Sequence, residues 1–250
     1  MIRIAILGGG TAGTMLSSHL AHRLHDREVE IRVYDRDDAH VYQPGLLFLP
    51  FGGERLDRIV RPRKRYIAEA VELVLDEVVR VDPDRKELGL QSGAKAGYDV
   101  LVVATGARLD PSAVQGMAET HDAGLGAHFY DLEGALTLGR LLAGFEGGRI
   151  VVNVAEMPIK CPVAPHEMSF LLESCLRARG IREKSEIVFA TPLPGAFTKP
   201  KASAVLGDMM GQRGIEVVAD FNLDLLPQVR DVITAGDFYA MSEGAQIIFT

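Results

Sequence analysis

The first 35 residues run through an apolar strand, a glycine-rich turn, a helix and a second apolar strand ending in an acid. No other feature constrains the fold of this chain as tightly. Residues 2–7 are apolar but for Arg3 and short enough for one strand, and Gly8-Gly9-Gly10-Thr11-Ala12-Gly13 follows with G-x-G-x-x-G spacing. In a strand–turn–helix context each glycine has its own reason. Gly8 makes the tight turn, Gly10 lets a pyrophosphate approach the backbone, and Gly13 lets helix and strand pack closely. The next strand, residues 29–34, ends at Asp35, 22 residues beyond Gly13. A carboxylate there accepts hydrogen bonds from ribose hydroxyls and repels a 2′-phosphate, which disfavours NADP. Gly8, Gly10, Thr11, Ala12, Gly13, Asp35 and Arg36 are therefore candidate dinucleotide-binding residues.

A second strand-to-helix turn is built differently. Residues 149–154 read as an apolar strand and residues 166–179 as a helix, with Ala155 to Pro165 between them. That turn has no glycine, three prolines lacking N–H donors, and Cys161. A place suited to a second dinucleotide presents a thiol instead. At a helix entry the positive end of the helix dipole favours a thiolate, which makes Cys161 the candidate nucleophile. The competing reading is a small buried hydrophobe. Cys175 falls on the stripe Met168, Leu171, Leu172, Cys175, Leu176, whose spacing marks a core-facing helix surface. A Cys161–Cys175 disulfide is the less favoured alternative.

The rest of the chain alternates α and β. Residues 71–82 and 86–91 predict strands of a small meander, 98–106 a buried strand, 132–142 a helix ended by Gly144, 186–191 a strand, 201–213 a helix and 215–219 a strand. Residues 107–127 read as a connecting segment. The expected fold is α/β: two Rossmann-like dinucleotide-binding units, each with a central parallel sheet, and a small β-meander. The expected boundaries are 1–110, 111–222 and a short divergent tail, 223–250. A hydrophobic content of 47% supplies a substantial core. The net charge of −7 gives no support to nucleic-acid binding. Met1 leads straight into a strand, so no secretory signal is expected, and no apolar run reaches the ~18–20 residues of a membrane span. Two cysteines suit a reducing cytoplasm rather than a disulfide scaffold.

Three stretches resemble one family. The strand running into Ala104-Thr105-Gly106 resembles the A-T-G motif of two-dinucleotide-binding-domain flavoproteins, where it passes beside FAD. His40-Val41-Tyr42-Gln43-Pro44 onward to Gly52 resembles the flavin-proximal segment of sulfide:quinone oxidoreductases and flavocytochrome c sulfide dehydrogenases. Ile159 to Pro165 resembles the redox-cysteine segment of the same group. The resemblance runs from residue 1 to about 222. It implies FAD as cofactor, Ala104, Thr105, Gly106, Tyr42 and Pro44 beside it, and the Val79 backbone near adenine. It also implies electrons passing from sulfide through Cys161 and flavin to quinone. Members use a partner cysteine and peripheral membrane attachment from a C-terminal region, which allows contact with the inner face of the membrane. Homo-oligomerisation stays open.

Alternatives remain at this level. One is an NAD(P)H-dependent flavin reductase of the same architecture; another is a non-catalytic FAD-binding remnant or subunit. Residues 232–237, ending in Gly236-Asp237, faintly resemble a second FAD motif, although an accidental Gly-Asp turn is favoured. His19, His22 and His25 recur at a three-residue spacing on the first helix and read as a solvated face rather than a metal site. His40 and His166 read as ordinary hydrogen-bonded loop histidines, with proton shuttling as the sharper alternative.

Overall fold

The computed structural model describes residues 1–111, 114, 116–155 and 157–222, and the backbone of residues 245–249. Residues 223–244 lie outside this description, and Asp237 with them. The chain divides into two compact units, Met1–Tyr42 with Leu56–Arg108, and Gln43–Arg55 with Leu109–Thr250.

In the first unit, β1 (Ile2–Leu7), α1 (Thr11–Arg23), β2 (Val29–Asp35), β3 (Ala39–Val41), α2 (Leu56–Ile59), β4 (Val60–Pro62), β5 (Glu72–Leu75), β6 (Val78–Asp82), β7 (Glu87–Leu90), β8 (Lys95–Gly97) and β9 (Val100–Val103) follow in order. The main sheet is parallel, in the order β5-β2-β1-β9. β3 and β4 form an antiparallel pair, and β6-β7-β8 an antiparallel meander. Successive residues of β1 show why this sheet is covered on both faces. Ile4 and Ile6 join Ile31, Val33 and Val71 in a cluster that takes in Leu16, Leu20 and Leu24 of α1 and its C-cap. Ala5 and Leu7 join Tyr34 and the meander residues Leu88, Leu90 and Ala96, with Tyr98. A strand buried on both sides carries a continuous apolar run, and Ile4 to Leu7 of β1 do.

In the second unit come α3 (Met117–Asp122), β10 (Gly126–Ala127), α4 (Leu132–Gly144), β11 (Gly148–Asn153), α5 (Ala164–Ala178), β12 (Ser185–Ala190), α6 (Pro200–Gly211), β13 (Ile215–Val218) and β14 (Ala245–Phe249). All neighbours in its sheet are parallel, in the order β10-β14-β11-β12-β13. Asp131 caps α4 by accepting from the Gly134 N–H at 2.8 Å. Met168, Leu172 and Leu176 bury the predicted face of α5, and Cys175 beside them is half-buried.

Four details differ from the sequence reading. Residues 71–82, expected as one strand of the meander, are two strands, of which β5 joins the parallel sheet and only β6 the meander. Residues 107–127 are more than a connection, since they hold α3 and β10. Residues 245–249, expected in a tail, form the strand between β10 and β11. Residues 43–55 belong with the second unit, where Pro50 lies so close to α4 that a Cβ on Gly139 would stand 3.4 Å from its Cα. That approach is a non-local contact, which periodicity does not reveal.

Candidate functional site

The glycine turn connects β1 to α1 within the first unit. Gly8 has φ 94°, and a Cβ there would stand 2.4 Å from the Ala104 carbonyl oxygen, so the Ala104–Gly106 segment lies directly against it. A Cβ on Gly13 would stand 1.9 Å from the Gly8 carbonyl oxygen, which is the close helix–strand packing expected of the third glycine. Gly10 differs from both. Nothing lies within 4 Å of the point its Cβ would occupy. Its open space adjoins the N-terminus of α1, where Thr11 and Ala12 are exposed and the first turn holds no acid. Unspent amides and a positive dipole end make this a ready anion site. The cradle thus fits a dinucleotide pyrophosphate on geometry as well as on pattern.

Asp35 ends β2 beside this turn. One of its carboxylate oxygens accepts from the Gly9 N–H at 2.7 Å. Its other oxygen lies 3.2 Å from Nη2 of Arg63, a residue the sequence reading did not single out. Arg36 points away, 74% exposed, and pairs with Asp37 at 3.6 Å. His40 approaches the Gly9 carbonyl oxygen through Nδ1 at 3.4 Å and packs on Tyr66 with ring centroids 4.5 Å apart. Thr105, Gly106, Tyr42, Pro44 and Val79 are all exposed. Gly106 has φ 76°, a left-handed turn that carries the chain away from β9. His19 and His22 are exposed on α1, and His25 is exposed in the turn that follows it.

Cys161 lies in the second unit, in the turn between β11 and α5. It is exposed, and its backbone is left-handed with φ 57°. A non-glycine residue rarely takes that conformation, at a cost of about 1–2 kcal/mol, and such strain gathers at functional sites. The turn is locked from within: the Cys161 carbonyl accepts from the Ala164 N–H at 3.0 Å, and Val163 accepts from the N–H groups of His166 and Glu167. Tyr130 ends the loop after β10, on the same C-terminal edge of the sheet. Its hydroxyl is buried and has no hydrogen-bond partner among the described residues. Burial, and secondarily the charge of Cys161, push that hydroxyl up to about 12, so it stays a proton donor. Asn153, which ends β11, is 3% exposed, and neither of its amide atoms has a partner among the described residues. His166 is no shuttle by its surroundings. It is buried between Phe189 and Phe197, donates to the Ala196 carbonyl, and is held below its ordinary value by that burial. Cys161 and Cys175 are both free thiols.

Among the described residues no helix is long and apolar enough to cross a membrane. No group of three or more His, Cys, Asp or Glu among them could hold a metal ion.

The chain is similar to several known proteins. It is 27% identical to the mitochondrial sulfide:quinone oxidoreductase of Mus musculus over 220 residues, 88% of this chain and 48% of that protein. It is 26% identical to a sulfide-quinone reductase of Aquifex aeolicus over 223 residues, 87% of this chain and 50% of that protein. The crystal structure of the Aquifex aeolicus sulfide:quinone oxidoreductase superposes with a TM-score of 0.78 at 22% identity, covering 91% of this chain and 53% of that one. The reductase chain of a covalent putidaredoxin reductase–putidaredoxin complex superposes with a TM-score of 0.69 at 18% identity, covering 99% of this chain and 57% of that one. This chain spans about half the length of the curated relatives it matches. The model of one family matches residues 2–223, and the chain belongs to that family, the pyridine nucleotide-disulphide oxidoreductases, which are FAD-binding flavoproteins.

Proposed function

We propose that this chain oxidises sulfide, using FAD held on its first unit and the thiol of Cys161, with a quinone as final electron acceptor. The observation that carries the reading is Cys161 itself, an exposed thiol in a strained left-handed turn where a nicotinamide-binding unit would place glycines. The sulfide:quinone oxidoreductases among its relatives support the choice of substrates.

Gly10 and the first turn of α1 would hold the pyrophosphate, with Gly8, Gly13, Thr11 and Ala12 shaping its cradle. Asp35 would accept from the ribose hydroxyls, beside Arg36. Ala104, Thr105 and Gly106, with Tyr42 and Pro44, would line the flavin, and Val79 would meet the adenine. Bound FAD supplies two-electron redox chemistry that no side chain offers. Cys161 contributes the sulfur-bonding centre. Its thiolate joins the sulfur of hydrosulfide, giving a cysteine persulfide and releasing one proton and two electrons, which quinone takes up with two protons. Exposure lets hydrosulfide reach the sulfur without any opening of the turn.

The test is anaerobic titration of the FAD-loaded protein with sulfide, followed by visible absorbance. Wild type should bleach and Cys161→Ser should not. Equal bleaching by both would remove Cys161 from the reaction. Flavin that ignores sulfide and bleaches with NADH would move the assignment to a nicotinamide-linked reductase.

A further inference from the structure

The Arg63 side chain is 6% exposed and spends its guanidinium on one place. Nη1 donates to the Gly9 carbonyl, and Nη2 to the Ala39 carbonyl at 2.8 Å. Nε donates to the Asp37 carbonyl at 3.1 Å. Nη2 also lies 3.2 Å from carboxylate oxygens of both Asp35 and Asp37. The chain carries Arg63 there by a short route. β4 pairs with β3, setting Pro62 opposite Ala39, and the Arg63 N–H donates to the Asp38 carbonyl at 2.7 Å. The side chain then runs beneath the glycine turn.

Gly9 is the variable position of the G-x-G-x-x-G pattern, so dinucleotide binding gives it no role. Arg63 does. A Cβ on Gly9 would stand 2.5 Å from Arg63 Cδ, close to the fork that the hydrogen bonds fix in place. The Gly9 peptide is thus clamped at both ends, its N–H by Asp35 and its C=O by Arg63. A buried charge satisfied by this set of partners holds them in one arrangement, because each displaced partner leaves a desolvated charge.

We infer that Arg63 is the positioning residue of the nucleotide site: through Gly9 and Asp35 it sets the glycine turn and the ribose-binding carboxylate in their working geometry before the cofactor arrives. The inference rests on the reading of the first unit as the FAD site. It makes Gly9 a requirement of Arg63 rather than of the cofactor.

The experiment has two arms. In the cofactor-free protein, amide hydrogen exchange at Gly9 and Gly10 should quicken in Arg63→Met and in Gly9→Ala; unchanged protection in both would overturn the inference whether or not FAD binds. In equilibrium FAD titrations, Arg63→Met should weaken binding roughly ten- to a hundredfold, the loss of hydrogen bonds to a charged group. Arg63→Lys keeps the charge but not the fork, and should recover part of that loss. It also supplies the reading if Arg63→Met fails to fold. In an Asp35→Asn background the effect of Arg63→Met should shrink markedly; independent effects, additive to within a factor of about two, would overturn the inference. Wild type that takes up no FAD would instead sink the reading of the site, leaving the exchange arm to judge Arg63.

Discussion

The two strand-to-helix turns occupy the same position in their respective sheets and are built in opposite ways. The turn after β1 achieves closeness by leaving out side chains, so that Gly8 and Gly13 meet neighbouring backbone and Gly10 keeps a space open. The turn after β11 has no glycine, and it carries Cys161 through a left-handed conformation that glycine would adopt freely. On the proposed reading, one turn would admit a large anion and the other would display a small nucleophile. The same supersecondary unit therefore serves binding or chemistry according to where it tolerates crowding and where it accepts strain.

The comparison breaks most severely at Gly13. Gly13→Val would drive a branched side chain into the Gly8 carbonyl, costing more than about 3 kcal/mol of stability and abolishing flavin uptake, as denaturant melts and absorbance would show. Gly10→Ala separates packing from binding. With open space and φ −71° at Gly10, the cofactor-free protein should keep its stability to within about 0.5 kcal/mol while FAD affinity falls. Equal affinity would mean that the space is not the pyrophosphate's. In the other turn, Cys161→Gly should stabilise the protein by about 0.5–1 kcal/mol by relieving the left-handed strain, and also lose the sulfide response. A less stable glycine variant would show that the thiol itself holds the turn together.

Acidification should separate the two units. His121, His128 and His166, all in the second, are held below their ordinary value of 6.5, chiefly by burial. The unfolded chain takes up protons below that value and the folded unit resists them. Their contribution is therefore complete above pH ~6.5 and declines as pH falls toward the folded values. Urea midpoints that stay level or rise between pH ~7.5 and ~5.5 would contradict this. The smallest effect belongs to the first unit. Arg3 holds the exposed Asp99 carboxyl down at about 2 through hydrogen bonds. Asp99→Asn should move the midpoint slightly, and added salt should erase even that.

The sequence discloses features whose cause is local. The glycine spacing, the acid ending β2, the apolar run of β1 and the stripe on α5 each follow from neighbouring residues. Arg63 has no such signature. It sits in the basic run from Arg61 to Arg65, which reads as a solvated surface, and only the pairing of β3 with β4 buries it under Gly9. The strain at Cys161 is equally invisible, because no pattern announces a left-handed cysteine. The place of Pro50 against α4 and the insertion of β14 are non-local pairings that periodicity cannot report.

The insertion of β14 gives the two sheets different histories on the ribosome. Among the described residues, every strand of the first sheet has emerged once β9 has. In the second, Gly126 pairs with Ile248, and β11 meets its inner neighbour only when that same late segment arrives. Until then β10 is stranded and β11 shows a bare edge to solvent, where edge-to-edge association competes with folding. Pairing between strands so distant in sequence is slow. The half of the molecule that carries the thiol is thus the half whose sheet stays incomplete longest during synthesis.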